Sequence, residues 1–438
     1  MCYIHPMLRL SLSALERIAA RPLTCFLLIF VVSCAARFSL LALYRGSPPR
    51  IGEAENIGIS LARTGRFADP FRVPTGPTAH TPPFYPVLVS QIYRAFGVTP
   101  AGDLARCSLN IVAYATLQAS APLLGAGLGI PRAAGLFAGL VMALCPLHKS
   151  AEVTGGWDEP YSAIAFAWIL VWTKRLWDRA WRTRRSALRY GASWGLLFHA
   201  APTTLPTYLG LGLAAWLAAC ERSRVRNWWL VSAAVTAVIL IPWTLRNRYQ
   251  LGAWMFMRSN LGLELQQSYN DLAQPTVLLN NLHGSTRTHP LNSIGACREI
   301  AVSGEVEFNR SRFRDALSWI RSHPGRFLGL TLAHVREFWF GWLEVPRWMT
   351  PVFIVITLLA WAGLWRLHCS GAAISARVIA VAWLTYPATY YFFQYVSRYR
   401  VVIDWSITLM AGYAAYELMR RLAAPAKTME GAPALVHD

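Results

Sequence analysis

Ten apolar runs, at about residues 23–43, 104–128, 133–148, 160–174, 188–201, 204–220, 228–245, 351–366, 378–394 and 401–419, are separated by short basic segments. Several are long enough to cross roughly 30 Å of hydrocarbon, where every backbone N–H and C=O must be satisfied within its own element. The runs therefore predict an all-α polytopic membrane protein. One basic cluster orients the whole series. Residues 174–189, KRLWDRAWRTRRSALR, carry seven basic side chains and one acidic one, a density that marks a cytoplasmic segment. Arg9, Arg17 and Arg21 place the N-terminus on the same side. By parity, residues 45–103, the short segment ending at Trp157-Asp158-Glu159 and the long stretch 246–325 face outward.

That parity holds if the aromatic amphipathic piece Phe84–Phe96 lies in the interface rather than spanning. The segment Phe327–Trp342 is apolar but contains His334, Arg336 and Glu337, so it reads as re-entrant or interfacial, giving ten spans rather than eleven. The expected organisation is a transmembrane module over 1–245 that includes a first outer loop at 45–103. An outer subdomain at 246–326, a second transmembrane module at 327–422 and a disordered tail at 423–438 follow. The net charge of +20 does not point to nucleic acid, because the basic residues flank the apolar runs, where anionic headgroups and the inside-positive bias call for them. Eight cysteines, scattered and mostly within apolar runs, imply neither a disulfide framework nor a zinc site. The first apolar run lacks a small-residue cleavage site and reads as a retained anchor. No P-loop, dinucleotide fingerprint or nucleophile elbow is present.

The chemistry-bearing residues gather in the outward segments. Glu53 and Glu55 begin a short helical pattern that ends at Gly65; each is either a carboxylate favoured by the helix dipole or a functional acid. Asp158 and Glu159 precede Pro160, as a helix-start pair would. Arg398, Tyr399 and Arg400 sit between two spans, where charges are costly unless they reach headgroups or meet an anion, and a guanidinium grips a phosphate through two bonds. Arg246 and Arg258 open the same two readings. His80 stands in a Pro/Gly-rich turn, and Glu264 can cap a helix or pair with Arg258. The nineteen tryptophans fit interfacial belts, with sugar stacking open to a few such as Trp157.

Gly52-Glu53, the Ile57–Leu61 helix, Gly65-Arg66-Phe67, the turn Gly76-Pro77-Thr78-Ala79 and Pro82-Pro83-Phe84-Tyr85-Pro86 follow one another in an order that resembles the first outer loop of polyprenyl-phosphate-sugar-dependent glycosyltransferases. These are the family 39-like members of the GT-C superfamily, relatives of protein O-mannosyltransferases and the lipid A aminoarabinose transferase. Arg246-Asn247, Arg258-Ser259-Asn260 and Gly262-Leu263-Glu264-Leu265 are similar to the family as well. The resemblance implies a GT-C-like fold of about 10–11 transmembrane helices with two outer loops roofing an active site. It implies transfer of a sugar from a polyprenyl-phosphate donor to a lipid, protein or polysaccharide hydroxyl with inversion, at the outer face of a bacterial inner membrane. In that frame Glu53 is the base, assisted by Asp158. Arg398, Arg400, Tyr399, Arg258, Arg246, His80 and Glu159 bind substrate, and Glu53 with Asp158 are the pair that would hold a divalent cation. The aminoarabinose transferase has a Lys before its Pro-Pro pair where this chain has Thr81, so that phosphate contact is either absent or replaced by His80 or an Arg. The other readings of the same charges are a transporter or flippase of a lipid-linked substrate and a non-catalytic envelope scaffold. The inverted repeats and broken midplane helices of a transporter are not visible in the sequence.

Overall fold

The computed structural model describes residues 4–43, 52–145, 152–153, 157–178, 183–341, 343 and 347–424. The expected tail 423–438 lies outside these, apart from its first two residues. The chain before the outer subdomain forms α1 (Ile4–Ala19), α2 (Pro22–Leu43), α3 (Glu53–Thr64), α4 (Phe84–Phe96), α5 (Pro100–Ala119), α6 (Ala121–Gly127), α7 (Arg132–Leu144), α8 (Glu159–Asp178), α9 (Arg184–Phe198), α10 (Leu205–Ala218) and α11 (Arg222–Leu251). The subdomain consists of α12 (Leu261–Ser268), α13 (Val277–His283), α14 (Ile294–Ser303) and α15 (Glu305–Ser322). Then come α16 (Pro324–Phe340), α17 (Thr350–Cys369), α18 (Ala373–Thr385) and α19 (Val401–Ala423). Among the described residues there is no strand; two isolated bridges, Ala68 with Pro77 and Thr276 with Tyr395, are the β-type contacts.

By length and composition α2, α11 and α17 are each long and apolar enough to cross a membrane, and the chain is an integral membrane protein. Several expected runs are broken or extended for local reasons. The run at 104–128 divides into α5 and α6 at Ser120, whose hydroxyl turns back onto the Thr116 carbonyl, and Pro122 supplies no N–H to carry the ladder on. The last part of the run at 378–394 is a 3-10 segment, Pro387–Phe392, because Pro387 ends α18. Conversely, α11 runs through Pro242 as far as Leu251 and is capped by Gly252 at φ 72°, so Arg246 and Asn247 belong to a helix and not to the outer loop. The segment after Pro324 is a helix that buries His334 and Glu337 and stops at the left-handed Gly341; Trp342 lies outside the described residues.

α19 is the axis of the bundle. Residues 401–413 are buried on every face of that helix, as expected of a helix apolar all round. Gly363 of α17 meets the backbone of Met410, and such close approach gives tight packing where lipid-like surroundings provide little hydrophobic drive. The expected tryptophan belt is only partly realised. Trp194, Trp383 and Trp405 are among the largest fully buried side chains, because their flat bodies fill the gaps between crossing helices.

The first outer loop and the subdomain are joined through one carboxylate. Glu305, at the start of α15, accepts hydrogen bonds from the Thr78 hydroxyl, the Ala79 N–H at 2.8 Å and the Ser259 hydroxyl. Gly262 of α12 lies against the backbone of Asn309. The subdomain is tied in turn to the strand-like segment before Arg398. Val277 N–H bonds Tyr395 O and Tyr395 N–H bonds Pro275 O, both at 2.9 Å.

Candidate functional site

Where these pieces meet there is a cavity of about 230 Å³. Trp157, Asp158 and Glu159 line it from the mouth of α8, and Arg258 and Glu264 from the edge of the subdomain. Arg398 and Tyr399 line it from the 3-10 turn Ser397–Arg400. A second, apolar groove of about 1010 Å³ runs beside it between α4, α8 and α9 and shares Ala200 with it. Ser162, which lines the groove, donates a 2.7 Å bond to Asp158 of the polar cavity.

Arg398 is the most organised charge of the cavity. It bonds Glu159 at 2.8 Å, and its guanidinium lies 4.0 Å from the centroid of the Trp157 ring. Glu159 also accepts a bond from the Trp157 N–H at 2.6 Å, so ring, carboxylate and guanidinium orient one another. The surrounding carboxylates, Glu159 first among them, outweigh burial and hold Arg398 firmly protonated. Arg258 bonds the His80 carbonyl at 3.1 Å through Nε while its side chain lines the cavity. Burial first, and the neighbouring Glu159 second, push the Asp158 carboxyl up to about 7, a range suited to proton transfer near neutrality.

Glu53 begins α3, whose N-cap Gly52 permits close packing on the indole of Trp157; a Cβ there would meet that ring at 3.2 Å. Glu53 is placed behind the cavity lining, within electrostatic reach of both lining arginines. Burial raises its pKa, and its backbone hydrogen bond, Arg398 and Arg258 work against that rise. The side chain keeps 11% exposure. Its neighbour Glu55 faces elsewhere. It is fully buried, accepts the Gly52 N–H at 3.0 Å and pairs with Arg106 at 3.3 Å.

Two of the expected phosphate-binding arginines do not reach the cavity lining. Arg400 is buried against Asp404 at 2.6 Å and the Trp339 carbonyl at 2.7 Å, at the end of the same turn that delivers Arg398. Arg246 donates to the carbonyls of Thr78 and, at 2.7 Å, Phe67, and lies about 5 Å from the Phe67 and Trp243 rings. It fastens the first outer loop to α11. His80 is likewise behind the lining, 3.9 Å from Glu53. Among the described residues no three His, Cys, Asp or Glu side chains are grouped to hold a metal ion, so Glu53 and Asp158 lack the further protein ligands a cation held by the protein alone would need.

Sequence reasoning did not single out His289, whose Nε2 lies 3.8 Å from Glu53, nor Glu305. Neither stands in a motif, and only the packing of the subdomain on the first loop gives them a place. Tyr390 and Tyr386 fall within the apolar run at 378–394. They line the cavity instead, with Tyr390 stacked 4.4 Å from Tyr399 and bonded to Thr203 at 2.9 Å.

No known family model matches the chain, and no curated protein matches it in sequence. Among solved structures it is similar to the archaeal oligosaccharyltransferase AglB from Archaeoglobus fulgidus, determined in complex with an inhibitory peptide and a dolichol-phosphate. The identity is 14% and the TM-score 0.55, over 91% of this chain and 50% of that one. The chain thus spans about half the length of that protein, and the two share a fold.

Proposed function

We propose that this protein is an integral-membrane glycosyltransferase that takes a single sugar from a polyprenyl-phosphate carrier and delivers it to an acceptor hydroxyl on the extracytoplasmic side. The observation that carries the reading is the junction of two environments. A small polar cavity bearing Arg258 and Arg398 lies beside an apolar groove more than large enough for isoprenoid units. A donor with a charged head and a greasy tail needs that pairing. The solved relative was itself captured with a dolichol-phosphate, and the loop motifs resemble the family 39-like enzymes.

In this reading the phosphate is held by Arg398 and Arg258, whose fixed charges stabilise the leaving group as the glycosidic bond breaks. The sugar ring sits against Tyr399, Tyr390 and Trp157. The cavity has room for one sugar unit rather than an oligosaccharide. Glu53 takes the acceptor proton, with Asp158 beside the same reaction space, and attack opposite the phosphate inverts the anomeric centre. Lys174 and Arg175, which open the basic cluster, lie at the other end of α8 from Asp158, which favours an outward-facing site.

Comparison of surface glycans by mass spectrometry tests this. A deletion strain should lack one glycan feature, wild-type protein should restore it, and Glu53→Gln, expressed at the same level, should fail to. Restoration by Glu53→Gln would overturn the enzymatic reading.

A further inference from the structure

Glu53 is bracketed by two imidazoles that belong to separate parts of the chain. His80 Nε2 of the first outer loop and His289 Nε2 of the subdomain lie 3.9 and 3.8 Å from the same carboxylate oxygen, Oε1. Phe71 packs edge-on against both rings, at 5.1 and 6.3 Å. His289 is held rigidly. Its N–H bonds Thr286 O at 3.0 Å, and its carbonyl accepts from Asn292 at 2.8 Å and Ser293 at 2.9 Å. Its ring is held too, since the Leu291 N–H donates to Nδ1 at 3.2 Å. A nitrogen that accepts a backbone N–H carries no proton of its own, so the neutral ring bears its proton on Nε2, the atom that faces Glu53.

We propose that His289 is a positioning residue for Glu53: its Nε2–H, directed by the Leu291 amide, aligns the carboxylate through Oε1. The inference rests on the reading of Glu53 as the base. The present separation is longer than a direct hydrogen bond, as contacts in unliganded sites often are before substrate tightens them. Burial favours the uncharged ring of both histidines, so His289 acts as a dipole and not as a counter-ion. The other charges acting on Glu53 are Arg398, Arg258 and the neighbouring Glu55. The arrangement also makes the base depend on docking of the subdomain, because the donor that orients it arrives from there.

The test uses full-length protein in lipid nanodiscs and dicyclohexylcarbodiimide, a reagent that labels protonated buried carboxyls. Labelling of Glu53 is read by peptide mass spectrometry across pH. His289→Leu should move the labelling midpoint up by a few tenths of a pH unit, less than the roughly one unit of a direct hydrogen bond to a carboxylate, because the Nε2–H acts across 3.8 Å. His289→Gln, which retains an N–H donor, should restore most of the difference. In the glycan assay His289→Leu should lower product about tenfold or more, and His289→Gln should recover it. An unchanged midpoint in both variants, with unaltered protease resistance of the subdomain, would overturn the proposal. So would a midpoint that moves equally in both. If Glu53→Gln removes the glycan while His289→Leu matches wild type in midpoint and product, this inference alone falls. If Glu53→Gln leaves the glycan intact, it is the base assignment that falls.

Discussion

Arg398 and Arg400 stand two residues apart on one 3-10 turn, and their surroundings assign them different work. Arg398 lines the cavity with one N–H on Glu159 and its face on Trp157, whereas Arg400 is bonded to Asp404 and to carbonyls of α16. Arg398→Lys keeps the charge but loses both the planar guanidinium and its stacking. It should lower product roughly a hundredfold, as loss of a transition-state donor does, with little change in melting in detergent. Arg400→Met should instead destabilise the fold by about 3–5 kcal/mol, because it breaks the buried ion pair of Arg400 with Asp404; thermal denaturation of purified protein checks this. The raised pKa of Asp158 has a kinetic consequence. A carboxyl titrating at about 7 is mostly protonated below that pH, so if it must be ionised to act, the rate climbs as pH rises through 7. Asp158→Asn should remove that inflection from the pH–rate profile. The identity of these residues was readable from chain position, but the sorting of the arginines was not. Side-chain direction on a 3-10 turn is decided by what packs around it, and Asp404 and the α16 carbonyls arrive from elsewhere in the chain.

α3 and α4 form a hairpin that presents Glu53, and the hairpin depends on Gly58. A Cβ at that position would stand 2.6 Å from Cγ1 of Val89, closer than carbon atoms pack. Gly58→Val should therefore push the two helices apart, costing about 1–3 kcal/mol by overpacking. It should also lower product although Gly58 touches nothing reactive; limited proteolysis within 52–96 would report the displacement. Helical elements were largely foreseeable because apolar length and capping residues are local properties. The short helical pattern that begins at Glu53 and ends at Gly65 is α3. Breaks and extensions were less so. Pro122 and Pro387 end or divide helices, yet Pro242 is carried through α11, since neighbouring groups can satisfy the carbonyl a proline leaves open.

At the scale of the whole molecule, the proposed orientation predicts which cysteines face which side. Cys145, Cys220 and Cys369 are exposed. Cys145 follows α7 toward the cavity end, while Cys220 and Cys369 adjoin the basic turns after α10 and α17. A membrane-impermeant maleimide applied to spheroplasts should label Cys145 only, and Cys220 and Cys369 only after lysis. The reverse pattern would place the cavity on the cytoplasmic side. The amino-acid sequence by itself determined that this is an all-helical membrane protein, which segments gather its acids and arginines, and that its loops resemble those of GT-C enzymes. These follow from hydropathy, charge bias and local motif order, all readable along the chain. Only the tertiary structure decided that Arg258 and Arg398 share one cavity while Arg246 and Arg400 serve as fasteners. It likewise decided that Glu305 joins the first loop to the subdomain and that His289 comes to face Glu53. Those relations join residues far apart in the chain, and their distances exist only once the helices have packed.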